Sequence, residues 1–451
     1  MRTLTLVAQL RAHDRWSAAR LRGHQERLLR ATVAHAVARS PFYRELYAGA
    51  GPGTPIEQLP VVRKQQLMER FDDVVTDRRL RLSELEAHLA TVAGDELYLG
   101  EYRVLSTGGT SGVRGIFPYS RREWAMSLAS TIRASALMGL RPYPGMRAAT
   151  VSATSPQHWG GRFGATAGLG ITRTLALDVG SPVAQLVAAL NRHRPVQLGL
   201  YPSIATALAG EQLEGRLRIA PRVVVTSGEI LTPEVRDRIM TAWGSEPFNG
   251  YATTETGYCG IECTAHRGIH LLEDLTIFEV LDDTGAPAGA GTAGARVVVT
   301  NLFARTVPII RYELSDMLAP AHAPCPCGRP FRLIEQITGR SEDVLVLPGR
   351  GAQAVRVHPT VLTGTLERVP GVRAFQVVRE TGRLRVRVVV APGAIAADVC
   401  GAVTRALEAG LDRIGAAPTE TRVEPVERLE RSGVAGKLRI VVDAAAPGSS
   451  Q

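Results

Sequence analysis

Ser106-Thr107-Gly108-Gly109-Thr110-Ser111-Gly112 follows the apolar pair Val104-Leu105 and sets seven small residues in a row, four with a hydroxyl and three of them glycine. Hydroxyls and bare backbone N–H groups are the donors a phosphate needs, and glycine lets the backbone come close. No Gly-Lys-Ser/Thr follows, so the stretch is not the common nucleotide P-loop. A flexible surface loop is the plainer alternative for so many turn-formers. Downstream of the loop, short apolar runs alternate with helical stretches. Arg147–Ser152, Gln197–Leu200 and 222–226 read as buried strands, and 181–191 and 232–243 as helices. That alternation specifies an α/β architecture with a largely parallel sheet.

Working outward, residues 1–40 read as helical until Ser40-Pro41 breaks the pattern. A mixed segment with a helix at 82–89 leads to the loop, and 297–300 and 309–312 add strands. A boundary falls near Gly339-Arg340. Beyond it come 343–347, a helix at 359–368, strands at 374–378 and 384–390, and a helix at 396–409. This β-α-β-β-α pattern fits a small α+β domain. The expected organisation is a large multilayer α/β domain over 1–339 and a small α+β domain over 340–451, with a disordered tail at 444–451.

At 451 residues the chain exceeds one ordinary core. Hydrophobic content of 45% and charge of 21% are those of a soluble globular protein. No apolar run approaches the roughly 18–20 residues of a membrane span. The first residues carry too short an apolar core for a signal peptide, so the expected location is cytoplasmic. The net charge of +10 invites nucleic acid as a partner. However, the arginines are scattered among acidic residues, with no basic block and no zinc-finger, RRM-like or helix-turn-helix signature. A diffuse positive field still attracts small anions such as ATP. Of 53 basic residues only Lys64 and Lys437 are lysine. Lys64, after a proline turn, reads as exposed. Lys437 stands in Gly436-Lys437, where a compact ammonium fits between two oxyanions better than an arginine fork.

Five motifs occur in order: the 106–112 loop; Thr226-Ser227-Gly228-Glu229; Asn249-Gly250-Tyr251-Ala252-Thr253-Thr254-Glu255; Arg311-Tyr312-Glu313-Leu314-Ser315-Asp316 with Gly339-Arg340-Ser341-Glu342-Asp343; and Gly436-Lys437. The set resembles the adenylate-forming superfamily of acyl-CoA synthetases, peptide-synthetase adenylation domains and luciferases. It looks most like the phenylacetate-CoA ligase branch, which Ser40-Pro41-Phe42-Tyr43-Arg44, Pro308-Ile309-Ile310-Arg311-Tyr312 and Cys325-Pro326-Cys327-Gly328-Arg329 also match. The resemblance covers nearly the whole chain.

It implies a reaction in which a carboxylate attacks the α-phosphate of ATP, so the site must neutralise charge and hold two anions in line. Ser106, Thr107, Gly108, Gly109, Thr110 and Ser111 would donate to the β- and γ-phosphates. Glu255 would hold Mg²⁺, a hard cation suited to one carboxylate plus phosphate oxygens. Thr254 would donate to the α-phosphate and Tyr251 would stack on adenine. Asp316, supported by Arg340, would accept the ribose hydroxyls. Gly228, Glu229, Asn249 and Gly250 complete the implied nucleotide site. Lys437, on a mobile C-terminal domain hinged at Glu342, would bridge the acid and the α-phosphate. Plainer readings are a helix N-terminal charge for Glu255, a turn residue for Asp316 and a solvated tail lysine for Lys437. The chain departs from the family in Val113-Arg114-Gly115 after the loop, in 430–435 before Gly-Lys, and in a longer insertion at about 76–100.

Five cysteines in a cytosolic chain point to metal before disulfides. Some relatives in that family carry Glu-Cys…Gly-Leu-His and Cys-Pro-Cys-Gly segments, here Glu262-Cys263…Gly268-Ile269-His270 and Cys325–Gly328, so the resemblance implies Cys263, His270, Cys325 and Cys327 as structural Zn²⁺ ligands, with Cys259 or His266 as substitutes; free thiols are the alternative, and Cys400 reads as core. His158, Trp159, Phe163 and Tyr201 are candidates for an acid pocket between 152–164, 199–203 and 249–255, where aromatic walls suit a flat aryl acid. The expected function is ATP-dependent activation of a small, aryl acid as acyl-AMP with release of pyrophosphate, then transfer to an acceptor, CoA first. A carrier thiol, an amine giving an amide, or nitrite activated toward an arylamine to give a diazo product in secondary metabolism are the alternative chemistries. A non-catalytic zinc-stabilised binding protein of the same fold is the alternative class. Partners are small molecules, without nucleic acid or membrane; a homodimer is left open.

Overall fold

The computed structural model describes residues 2–51, 53–107, 113–166, 172–351, 353–431 and 436–444. The helical stretch at 1–40 is two helices, Arg2–His13 and Ala18–Arg39. Ser17 starts the second by accepting the Arg20 backbone N–H at 3.2 Å. One carboxylate pins this region to the body. Asp274 receives Arg133 at 2.7 and 3.1 Å and lies 2.8 Å from His13 Nδ1. Arg133 and Asp274 are both fully buried, so losing either would strand a desolvated charge.

A nine-stranded sheet forms the body, in the order Asp316–Pro320, Leu333–Arg340, Ile269–Leu271, Gly257–Glu262, Phe248–Thr253, Val223–Ser227, Gln197–Leu200, Arg147–Ser152, Arg173–Asp178. The last five run parallel and the first four pair antiparallel. The largely parallel expectation therefore holds for one half only. In the other half short connections such as 254–256 leave no room for a crossover helix.

In the parallel half, alternate residues part company. Ala149, Val151, Leu198 and Leu200 join Leu186 and Leu208 of the helices Val183–His193 and Pro202–Leu213 in a close-packed core. The intervening positions face the layer built by the helices Arg121–Leu137 and Trp159–Thr166. The first of these begins with a capping box between Ser120 and Glu123.

The strand expected at 309–312 starts only at Tyr312 and spans Tyr312–Leu314. Arg311 has φ +46°, a left-handed conformation that interrupts extension. It is held there by Glu279 at 2.6 Å and by the carbonyls of Glu57 and Leu59 at 2.8 and 2.6 Å.

A smaller C-terminal domain follows the last strand of the body. Its sheet runs Glu420–Pro425, Arg383–Val390, Val372–Glu380, Val441–Asp443, with the helices Pro359–Leu366 and Ala396–Arg413 packed on it. Leu362, Phe375, Val377, Val386, Val403 and Leu407 form its own core. The strand expected at 343–347 is Leu345–Leu347; its partner Val355–Val357 and the strands at Glu420–Pro425 and Val441–Asp443 are elements that the sequence pattern does not specify. Cys400 is half-buried on the helix Ala396–Arg413, not in the core. Ala444 is tied to Arg379 by a backbone hydrogen bond of 3.0 Å, and the rest of the expected tail lies outside the described residues. Among the described residues no helix is long and apolar enough to cross a membrane.

Candidate active site

A cavity of about 1370 Å³ opens between the carboxyl ends of the parallel strands and the small domain. Open α/β sheets place ligands at this edge. Thr107, Gly228, Glu229, Gly250, Tyr251 and Thr254 line it from the body, with Glu255, Asp316, Arg340 and Glu342 beside them. Lys437 enters from the small domain. His158, Trp159, Phe163 and Tyr201 line the same cavity.

Two expected residues stand elsewhere. Ser106 is buried behind the wall, its amide donating to the Gln157 carbonyl at 2.8 Å and its hydroxyl accepting from Arg114 at 3.0 Å. Asn249 does not line the cavity; its amide donates to Glu262 at 3.0 Å. Gly108, Gly109, Thr110 and Ser111 lie outside the described residues. The loop they belong to springs from an antiparallel hairpin, Tyr102–Ser106 with Ile116–Ser120, closed at its neck by Thr107 Oγ1 accepting the Gly115 amide at 2.8 Å.

Glu255 is 7% exposed. Its Oε1 accepts from the Tyr312 hydroxyl at 3.1 Å, and it has no ion-pair partner among the described residues. A buried carboxylate with no ion-pair contact among the described residues offers an oxygen ligand to a cation, and Mg²⁺ with its oxygen preference fits that donor. Asp316 and Arg340 meet because they are ladder partners on adjacent antiparallel strands. Arg340 Nε lies 3.4 Å from Asp316 Oδ1, and the Tyr251 hydroxyl donates to Asp316 Oδ2 at 2.9 Å. The Tyr251 ring is 5% exposed and packs against Phe278 in the core.

Lys437 is half-buried, with no carboxylate in ion-pair range among the described residues. Burial, reinforced by the positive Arg340, lowers its pKa from 10.5 to about 8; Asp316, Glu229 and Glu255 oppose that shift. Its side chain crosses Gly228, which has φ +83°. A Cβ there would stand 3.1 Å from Lys437 Cε and 3.1 Å from the Tyr201 ring. Only glycine meets both demands. Burial and then the Lys437 charge drive His158 down to about 3, so its ring is neutral. Its Nδ1 accepts the Gly160 amide at 3.2 Å, which puts the ring proton on Nε2.

Glu229 is engaged with protein on both oxygens. One accepts the Ser203 amide at 2.9 Å, the other the Leu438 amide at 2.7 Å, next to Lys437. Arg431 adds a second tie across the seam, reaching Ser203 Oγ at 3.2 Å and the Gly436 carbonyl at 3.0 Å. These residues hold the lysine segment on the body. Sequence reading missed Ser203 and Arg431, since nothing in the local pattern marks a contact spanning 228 positions. It also missed Arg162, fully buried, which donates to the carbonyls of Pro156, Gly94 and Glu96 at 2.7, 3.1 and 2.8 Å. Arg162 thereby ties the 76–100 segment to the helix that presents Trp159 and Phe163, whose rings stack at 4.9 Å and 12°.

Away from the cavity, Cys263, His270, Cys325 and Cys327 bring four donor atoms within 4.8 Å of one another. Cys263 Sγ and Cys325 Sγ lie 3.6 Å apart, and Cys327 Sγ lies 3.4 Å from His270 Nε2. Zn–S bonds of about 2.3 Å set tetrahedral corners roughly 3.8 Å apart, so this donor set fits zinc. The substitutes stand apart: Cys259 Sγ faces the Tyr251 carbonyl at 3.6 Å, and His266 Nδ1 lies 3.4 Å from Glu262.

No protein-family model matches the chain. It is 27% identical over 382 residues to the phenylacetate-coenzyme A ligase of Thermus thermophilus, covering 81% of this chain and 80% of that one. It is 28% identical over 361 residues to the Pseudomonas putida enzyme of the same name, covering 75% and 74%. Its fold is similar to that of 2-hydroxyisobutyryl-CoA ligase in the postadenylation state in complex with R3-HIB-AMP, with a TM-score of 0.73 at 23% identity over 96% of this chain and 91% of that one. Sequence and fold agree with that resemblance: the chain is similar to phenylacetate-coenzyme A ligases over 75–81% of its length and shares the fold of an acyl-CoA ligase, with residues of the separated motifs gathered around one cavity.

Proposed function

We propose that the chain is an AMP-forming acid ligase that activates a small aryl acid and passes it to CoA. One observation carries this reading: Lys437, an ammonium with no carboxylate in ion-pair range among the described residues, enters the same cavity as Glu255, a buried carboxylate with no ion-pair contact among them. Each lacks what a metal-bound nucleoside triphosphate and an organic acid would bring.

In the first step a carboxylate oxygen of the acid attacks the α-phosphorus of ATP. A C(O)O–P bond forms, the bond to the β-phosphate oxygen breaks, and pyrophosphate leaves. Lys437 lies between the two anions and screens their repulsion, and Asp316 with Arg340 orients the ribose. Mg²⁺ at Glu255 supplies charge neutralisation on the phosphates when bound. In the second step the CoA thiol gives its proton to solvent, its sulfur attacks the acyl carbon, the bond from that carbon to the phosphate oxygen breaks, and AMP leaves. The small domain pivots at Glu342 between the steps, which removes the lysine and admits the thiol. Trp159 and Phe163 offer a flat apolar wall to an aryl ring, and neutral His158 offers an uncharged N–H beside it. Cys263, His270, Cys325 and Cys327 would hold a Zn²⁺ that braces the strand pair after Glu255 against the strand leading to Arg340, and four protein ligands would leave it no catalytic position.

The test is a pyrophosphate-release screen over aryl acids with ATP and Mg²⁺, with and without CoA. Acid-dependent release and a thioester product are expected. Release that never yields a thioester would refute CoA as acceptor, and no release with any acid would refute the ligase reading.

A further inference from the structure

The cavity does not end at the catalytic edge. It continues along the sheet because of which side chains face it. Ladder registers place Ser152 and Ser227 at the edge row. One row deeper stand Thr150, Gly199 and Val225, and the deepest row holds Ala148, Thr174 and Gln197. Successive rows are two residues apart, about 6.6 Å, so the deepest lies roughly 13 Å beyond the edge. The opposite face of the same strands carries Val and Leu and is closed by helices. Mid-strand residues of a central sheet are ordinarily covered on both faces. Here Ala148, Thr150 and Gln197 remain only half-buried.

The roof, from the helix Arg121–Leu137, contributes Thr131, Ile132 and Ser135. No charged residue belongs to the two deeper rows among the described lining residues; Arg141 appears only at the solvent end, where it is exposed. The Gln197 side-chain amide borders the channel with no hydrogen-bond partner among the described residues. An amide carries two donors and an acceptor. Leaving it beside a dry apolar ligand would cost about 1–3 kcal/mol.

We infer that the acid this enzyme takes is elongated. It bears its carboxylate at the Lys437 end, an aryl group against Trp159 and Phe163, and an uncharged hydrogen-bonding tail, an amide or a hydroxyl, that reaches Gln197 through the channel over Gly199. The inference rests on the acid-ligase reading for the identity of the head group. The channel itself rests on the sheet. Gly199 lies on its floor: a Cβ there would meet Thr150 Cγ2 at 3.5 Å and the Ala149 carbonyl at 3.9 Å, ordinary contacts with the neighbouring strand, so a larger side chain there takes up channel space without moving the backbone.

The experiment measures binding, which needs no turnover. Phenylacetic acid and its para-extended, amide-ended derivative are titrated calorimetrically into the native chain, Gly199→Val and Gln197→Leu. The extended acid should bind the native chain at least about tenfold more tightly. Gly199→Val should abolish that advantage and leave phenylacetic acid within about twofold. Gln197→Leu, which keeps the volume and removes the amide, should reduce the advantage severalfold. Equal affinity for the two acids, or an advantage insensitive to both variants, would overturn the inference. Pyrophosphate release with the same acids reports separately on the chemistry: tail-selective binding with no release from any acid would sink the ligase reading and leave the channel standing.

Discussion

In the proposed reaction Lys437 and Glu229 are the residues on which the chemistry turns. Lys437 acts as a cation, and its pKa of about 8 sets where that cation is lost. The charged form is the active one, so acid-dependent pyrophosphate release should fall as pH rises through about 8. Lys437→Ala should lower it by about 10²–10³-fold with the fold intact, as measured by initial rates beside a circular dichroism melt. Glu229 acts through its neighbour. Glu229→Gln replaces one acceptor oxygen with a donor that faces a backbone N–H, either of Ser203 or of Leu438. It should cost about tenfold in adenylation, the scale of a hydrogen bond to a charged group, and leave thioester formation from added acyl-AMP within about twofold. At this scale many of the residues that reach the cavity were legible. The scarcity of lysine singled out Lys437, and the motif Asn249–Glu255 delivered Tyr251 and Glu255 to the cavity. Asn249 and Ser106 do not reach the cavity because a motif fixes spacing, while the backbone at these positions is held by hydrogen bonds from their N–H groups to Glu262 and Gln157 that the motif does not encode.

Among the elements, strands and helices with clean periodicity were readable and pairings were not. Arg147–Ser152 and Gln197–Leu200 agree with the apolar alternation to the residue. The edge strand Glu420–Pro425 has a polar, half-exposed pattern that composition does not separate from a loop. Two element-level predictions follow from contacts rather than pattern. At the end of the helix Pro359–Leu366, Glu367 accepts from Thr232, the N-cap of the helix Pro233–Trp243, at 2.5 Å. Burial, reinforced by Glu234, raises Glu367 from 4.5 to about 7; Glu234 itself is paired with Arg368 at 2.8 Å. A raised value means that the folded chain keeps a proton the unfolded chain has released. The stability from this docking is therefore complete below about 4.5 and is lost as pH rises through about 7. Glu367→Gln should flatten the urea midpoint across that window. The cysteine cluster joins the strand pair Gly257–Glu262 and Ile269–Leu271 to the 325–328 turn. Elemental analysis should find one zinc per chain. Cys327→Ser or prolonged chelation should remove it and lower the Tm by several degrees.

The whole molecule is two bodies meeting over one cavity, each with its own core. The division was legible because the β-α-β-β-α pattern restarts after Gly339-Arg340, where the last long strand of the large sheet ends. The arrangement of the bodies was not legible. It depends on pairs such as Thr232 with Glu367 and Arg431 with Ser203, and no local pattern encodes them. Glu342 sits in the short turn Ser341–Asp343 that leads out of the body. Proline is tolerated in a first helical turn but restricts rotation. Glu342→Pro should therefore spare pyrophosphate release and slow thioester formation severalfold, read by following both products in one assay. The central claim is that Lys437 joins an acid to the α-phosphate of ATP in this cavity. Acid-dependent exchange of labelled pyrophosphate into ATP tests it most directly. The native chain should catalyse the exchange and folded Lys437→Ala should lose it; exchange retained by that variant, or absent from the native chain with every acid, would contradict the account.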